Sequence, residues 1–142
     1  MAIEFKLIAD PNPTVFKVVR IASQAYAIGD AVQVDVTSDA IDVTPATAST
    51  LTARIYGVAM EAKAATDTSL LIALITPSQT WSADVTNTSN TNHNFQRMVL
   101  TDKGTVNNTG TDSTTTAAVF QQTGILSTTR IVGRFLVGFA TT

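Results

Sequence analysis

Threonine is the residue type that most constrains this chain, because it accounts for about one residue in six. Its branched Cβ favours a pleated strand over a helix, and its hydroxyl keeps an exposed sheet hydrated without adding charge. Short segments rich in Val, Ile and Thr alternate with polar turns. With no long amphipathic helix, this pattern predicts an all-β fold, either a single β-barrel or a β-sandwich domain.

The amino-acid composition limits the kinds of partner that this chain is expected to bind. The chain has 142 residues, of which 44% are hydrophobic and only 14% are charged. Ordinary soluble domains carry about 25% charged residues. A surface this poor in charge is either covered by hydroxyls or buried against neighbouring molecules. The net charge of −2 and the scattered Lys and Arg residues give no electrostatic basis for binding nucleic acid.

An N-terminal arm is expected over residues 1–13, ahead of a β-barrel or sandwich domain over residues 14–142. The segment Asp10-Pro11-Asn12-Pro13 interrupts any continuous strand, because proline fixes φ and lacks an amide hydrogen. In an extended arm, Ile3, Phe5 and Leu7 share one face. Two alternatives stay open: this face adds a strand to a partner's open sheet edge, or it forms the first strand of the protein's own barrel.

A second candidate contact lies in residues 14–21, whose sequence is TVFKVVRI. Apolar side chains fall on both faces of a strand here, so the strand needs two covers. Either it is a central strand of the protein's own core, or another molecule supplies the second cover. The candidate contact residues are Val15, Phe16 and Val18.

Further strands are predicted by alternating or continuous apolar runs. Val32, Val34 and Val36 share one face of the clearest strand, and the run at residues 70–75 predicts a buried central strand. A single helical turn at residues 62–65 is an alternative, and a short helix is an alternative to the preferred strand at 117–126. The remaining predicted strands are 41–43, 52–61, 80–85, 95–101, 105–107 and 131–139.

Little catalytic chemistry is available. The chain has no cysteine and a single histidine, His93, which lies in the polar segment 86–94 and is predicted to be an exposed loop residue. No carboxylate pair, calcium loop or phosphate-binding glycine motif stands out. We therefore expect no enzyme activity, no cofactor and no metal. Trp81 is conceivable as a sugar-stacking residue, although core packing explains it better.

Neither end of the sequence predicts a membrane or export segment. Charged residues interrupt the first ten positions, and Arg134 interrupts the apolar run at 131–140, which is too short to cross a bilayer. The expectation is a protein without a membrane partner.

The order of segments between residues 26 and 85 resembles a known family. It runs YAIGDAVQVDV, AIDV, ARIYGVAMEAKAATDTSLLIALI and WSADV, and a closing GRFLVGF strand is compatible with it. The pattern is a Gly-Asp turn entering a strand, a Y-G-V-A element, a small-residue turn and an apolar strand. It resembles the small capsid decoration, or cement, proteins of tailed bacteriophages.

This resemblance implies a β-rich structural protein of the virion, commonly a homotrimer. Such a protein is assembled in the host cytoplasm, sits on the outer capsid surface and bridges neighbouring copies of the major capsid protein. Stability would come from burying surface against the shell, through mass action. The alternative is a receptor- or glycan-binding β module of a fibre or spike, for which a domain rich in Thr and Asn is equally natural.

Overall fold

The prediction of an all-β fold is confirmed. A computed structural model describes residues 5–9, 13–18, 24–37 and 40–136. One short 3₁₀ helix, Thr91–His93, is the sole helix in those ranges. The strands are β1 (Phe5–Ala9), β2 (Val15–Val18), β3 (Ala31–Thr37), β4 (Ala40–Pro45), β5 (Ile55–Ala59), β6 (Leu70–Leu74), β7 (Thr80–Val85), β8 (Arg97–Met98), β9 (Leu100–Asp102), β10 (Thr105–Val106), β11 (Phe120–Ser127) and β12 (Arg130–Phe135).

The strands form two sheets. One has five antiparallel strands in the order β2-β6-β5-β3-β4. The other has seven strands, six of them in the order β8-β11-β12-β7-β10-β9. The seventh, β1, pairs antiparallel with β7 on the side where β10 also pairs, and β10 runs parallel to β7. Strand β7 is therefore the centre of the larger sheet.

The main core lies between the facing sheets and is rich in aromatic rings. Trp81, Phe120 and Phe135 are fully buried, and their side chains come from β7, β11 and β12. The ring centroid of Phe135 lies 5.7 Å from that of Trp81 and 5.1 Å from that of Phe120, both edge to face. Such pairs contribute about 0.5–1.5 kcal/mol beyond the area that they bury.

Backbone hydrogen bonds between the sheets nearly close the structure into a barrel. The amide of Ala31, at the start of β3, donates to the carbonyl of Lys103 at 2.7 Å. On another side, the amide of Phe5 donates to the carbonyl of Gly29 at 3.0 Å. Gly29 has a φ of 93°, which glycine adopts without strain and which turns the chain into β3.

A second apolar cluster covers the other face of the five-stranded sheet. Val32, Leu70 and Ile72 are fully buried in it, and Tyr26 packs beside them. The sheet is therefore apolar on both faces. This explains the continuous apolar run of β6, and the prediction that residues 70–75 belong to the core is confirmed.

Local turn chemistry accounts for most differences in element bounds. The predicted strand over 52–61 begins only at Ile55, because residues 52–54 form a turn in which the Arg54 amide donates to the Leu51 carbonyl at 2.9 Å. The alternative helical turn at 62–65 is absent, and the chain makes a turn capped by Asp67 instead. The preference for strand over helix at 117–126 is confirmed from Phe120 onwards, where β11 begins. No helix in the described residues has the length and hydropathy needed to cross a membrane.

Two glycines of the paired strands β11 and β12 give a matched test of core packing. A Cβ built on Gly133 would lie 2.2 Å from the Gln121 carbonyl oxygen and 2.6 Å from the Phe120 ring, whereas one on Gly124 meets nothing within 4 Å. We expect Gly133→Ala to lower the free energy of unfolding by about 3 kcal/mol or more, and Gly124→Ala to change it little. Urea unfolding measures both, and equal effects would contradict this account of the core.

Candidate partner-binding surfaces

Strand β1 belongs to the protein's own sheet. Phe5 pairs with Ala83 and Leu7 pairs with Trp81 of β7. The side chain of Phe5 is 1% exposed, and its ring lies 4.9 Å from that of Phe135. Of the two alternatives for this segment, residues 5–9 therefore follow the second. Phe5 is corrected from a partner contact to a core residue, because the aromatic cluster buries it, and Leu7 packs half-buried against the same cluster.

The correction has a physical reason. An apolar face with period two predicts a strand. The pattern does not tell whether that strand joins the protein's own sheet or a partner's sheet, because both require the same alternation. Ile3, the third residue assigned to this face, lies outside the described residues.

Strand β2 has the properties of a partner-binding edge. It pairs with β6 on one side and is the last strand of its sheet within the described ranges. Val15 is 43% exposed, whereas Phe16 and Val18 are half-buried against the second cluster. The ring of Phe16 meets that of Tyr56 edge to face at 6.2 Å. The strand thus offers one exposed apolar side chain and an edge that pairs with no other described strand.

An apolar groove lies between β1 and the segments that contain Ile28 and Met60. Its volume is about 260 Å³, and Leu7, Ile28 and Met60 line it above a floor that includes Trp81. Ile28 is 45% exposed and Met60 is 39% exposed. Lys6 is the sole charged residue in the lining. We call this feature the β1 groove.

A more polar cavity of about 400 Å³ lies where the turn between β9 and β10 meets the start of β3. Asp30 in its wall is 1% exposed and forms an ion pair with Lys103, with Nζ and Oδ2 3.0 Å apart. The Ala27 amide also donates to Asp30. Burial and the Asp30 carboxylate raise the pKa of Tyr26 to about 12, so this phenol remains protonated. The ion pair attaches the β9–β10 turn to the smaller sheet.

A double-mutant cycle on Asp30→Asn and Lys103→Met tests that attachment. We expect a coupling energy of about 1 kcal/mol, below the ~3–5 kcal/mol for breaking a fully buried pair, because the Lys103 side chain is 39% exposed. The matched control is the cycle for Lys17 and Glu61, an exposed pair that should couple less. Urea unfolding supplies the free energies. A coupling energy between Asp30 and Lys103 that is no larger than that between Lys17 and Glu61 would contradict this role of the ion pair.

The polar loop at 86–94 is hydrogen-bonded along β11. The Ser89 amide donates to the Thr128 carbonyl at 2.9 Å. Gln122 is fully buried, and its amide nitrogen donates to the carbonyl of Asn90 at 2.9 Å and to Oδ1 of Asn94 at 2.8 Å. Sequence reasoning predicted the loop but missed these bonds. The available signal was the Asn and Gln content, since these amides can replace backbone partners.

His93 lies half-buried in the 3₁₀ turn of this loop, against a second polar loop at residues 108–116. A Cβ on Gly110 would lie 2.9 Å from its Nε2, so the glycine makes room for the imidazole. No cluster of three or more His, Cys, Asp or Glu side chains able to hold a metal occurs within the part of the chain described here.

The loop ends at the most exposed aromatic residue of the described chain. Phe95 is 71% exposed, and its φ of 70° is the one positive value at a non-glycine residue in the described ranges. Its amide donates to the Gln122 carbonyl at 2.7 Å, and Nε2 of Gln121 donates to the Phe95 carbonyl at 3.0 Å. The predicted strand over 95–101 accordingly starts only at Arg97. Strand periodicity does not reveal the conformation of Phe95.

Trp81 packs in the core, as preferred from the sequence. It is fully buried, and its indole nitrogen donates to Oε1 of Gln79 at 3.2 Å. The interpretation of Trp81 as a core residue is therefore confirmed.

A pH-dependent contact holds the second polar loop on β8. Hydrogen bonds from the side chain and the backbone amide of Arg97 lower the pKa of Asp112 to about 2. Because this is below the usual value of about 3.9 in an unfolded chain, the contact stabilises the fold above pH 4 and is lost as the pH falls towards 2.

We therefore expect Asp112→Asn to have a lower urea midpoint of unfolding than the parent protein at pH 6. The difference between the two midpoints should be smaller at pH 2. The effect is modest because the Asp112 side chain is 42% exposed. A difference of constant size would mean that the carboxylate charge is not responsible.

A scan against models of known protein families finds no match, and a search of curated proteins finds no relative.

Proposed function

We propose that this protein is a structural component of a phage virion, which binds the outer surface of the head and stabilises contacts between major capsid proteins. The observation that carries the proposal is the edge of β2 that pairs with no other strand in the described part of the chain, where exposed Val15 lies beside half-buried Phe16 and Val18. An edge strand offers a row of backbone donors and acceptors to a partner strand. Side chains alternating along it add specificity.

The segments that carry the family resemblance support the proposal by their position. The Gly29-Asp30 turn leads directly into β3, the Y-G-V-A element forms β5, the small-residue segment at 62–69 is a turn, and the apolar run forms β6. These elements and β2 belong to one five-stranded sheet. Most of the segments that carry the resemblance therefore lie in the sheet with the candidate binding edge, whereas WSADV belongs to β7 of the larger sheet.

The mechanism requires no reactive group. Each copy would add a strand to a capsid protein at β2 and seat Val15 in an apolar pocket of that protein. Backbone hydrogen bonds each contribute about 0.5–1.5 kcal/mol net, so one contact is weak but many copies on a lattice raise the cost of opening the shell. Scarce surface charge reduces the desolvation penalty for such contacts.

Corrected residue assignments move the proposed contact away from the N-terminal strand. Phe5 is buried in the protein's own core and Leu7 packs half-buried against it, so adding the Phe5 face to a partner's sheet would require β1 to leave β7. Of the candidates placed by the structure, Val15 is the one with a largely exposed side chain. The fibre or spike alternative now depends on the polar loops and the Asp30 cavity.

Reconstitution on expanded heads of the source phage tests the proposal. Heads that lack the protein are mixed with the purified chain, pelleted, and heated while release of their DNA is followed. We expect the chain to pellet with the heads and to raise the temperature of release. Val15→Asp should abolish both effects, because it places a charge where an apolar contact must form.

The matched control is Leu51→Asp, which puts the same charge at a residue that is 40% exposed and lies outside β2. It should bind as the parent protein does. Unchanged release temperatures with the bound parent protein, or equal binding by the Val15 variant, would contradict the proposal.

A further inference from the structure

The backbone of Phe95 is fixed, but its phenyl ring stays exposed and is not covered by other described residues. Its backbone is fixed on both sides by the bonds to Gln122 and Gln121, in a conformation that bulky residues rarely adopt. Non-glycine residues in such conformations persist where the surroundings impose them, and they cluster at functional sites. Here the result is a phenyl ring with 71% of its surface in water and a backbone that has little freedom left to lose on binding.

The β1 groove lies across the same sheet. Counting from Phe95 next to β8, the sheet continues through β11, β12 and β7 to β1. Neighbouring strands are about 4.8 Å apart, so β8 and β1 are separated by four steps, about 19 Å measured along the sheet. Phe95 therefore cannot fill the groove of its own chain, but a second copy can bring its Phe95 to that groove.

The Phe95 ring and the β1 groove match in size and polarity. A cavity of about 150 Å³ holds a benzene ring, and the groove has about 260 Å³. Its lining is apolar apart from Lys6, and the neighbours of Phe95 in sequence, Asn94 and Gln96, are neutral. Lys6 is exposed, so its ammonium group can stay in water when a ring fills the groove.

We propose that Phe95 of one copy inserts into the β1 groove of a second copy. The two surfaces differ, so the contact is heterologous: every copy has one Phe95 to give and one groove to fill. Repetition of such a contact closes a ring when the rotation allows it, and otherwise builds an open chain. This goes beyond the proposed function, since it concerns association of the protein with itself and uses neither Val15 nor a capsid protein.

Two defective variants test the pairing. Phe95→Asn removes the ring and keeps a residue that tolerates positive φ, and Met60→Arg places a long cationic side chain at the groove. In sedimentation velocity, the parent protein should form oligomers. Each variant alone should dissociate, with a dissociation constant raised about thirtyfold or more, as expected for a central aromatic anchor.

Mixing the two variants separates this geometry from any symmetric one. The Met60→Arg chain retains its phenyl ring and the Phe95→Asn chain retains its groove, so the equimolar mixture should form a one-to-one dimer that neither variant forms alone. Leu51→Asn is the control, because Leu51 is 40% exposed and belongs to neither surface, and it should associate as the parent does.

Circular dichroism checks that each variant is folded, and Ile28→Arg, at another exposed position in the lining, replaces Met60→Arg if that variant does not fold. A parent protein that stays monomeric, single variants that associate normally, or a mixture without a dimer would each overturn the proposal. None of these outcomes depends on capsid binding, which the Val15 variant measures separately.

Discussion

The fold depends on the contact of Phe135 with the rings of Phe5, Trp81 and Phe120. These rings come from β1, β7 and β11, so burying them together sets the order of strands in the larger sheet. Gly133, two residues before Phe135, leaves space for the Phe120 ring. The same cluster holds β1 against β7 and thereby forms one side of the β1 groove.

Neutral hydrogen bonds hold much of both polar loops, beside the Arg97–Asp112 ion pair of the second loop. The polar loops are held by the amides of Gln122 and Asn108, and the Asn108 side chain bonds the backbone of Asn87 in both directions. Such bonds are not screened by salt as exposed ion pairs are. The result is a surface with rigid shape and little charge, which suits recognition by packing more than by electrostatic attraction.

Sequence reasoning predicted the class of fold and most strands, because alternation and apolar runs report burial directly. Ile131 and Phe135, expected on one face of the last strand, are both fully buried. The predicted end of that strand, residues 137–139, lies outside the described residues. Sequence reasoning did not decide where Phe5 packs, since an internal and an external sheet select the same pattern. It also missed the exposure of Phe95, because its conformation results from bonds to β11, far away in the chain.

The chain order of the two sheets has a consequence for biosynthesis. All five strands of the smaller sheet, β2 to β6, are consecutive, and they lie between β1 and its partner β7. The smaller sheet can therefore form while the ribosome is still at work, whereas β1 waits for β7 and the aromatic cluster waits for β12. Distant pairings of this kind slow folding and leave apolar strands uncovered in the interval. During much of its translation, the nascent polypeptide thus has an unpaired β1 with Phe5 uncovered. In that interval β1 is an apolar segment to which chaperones can bind.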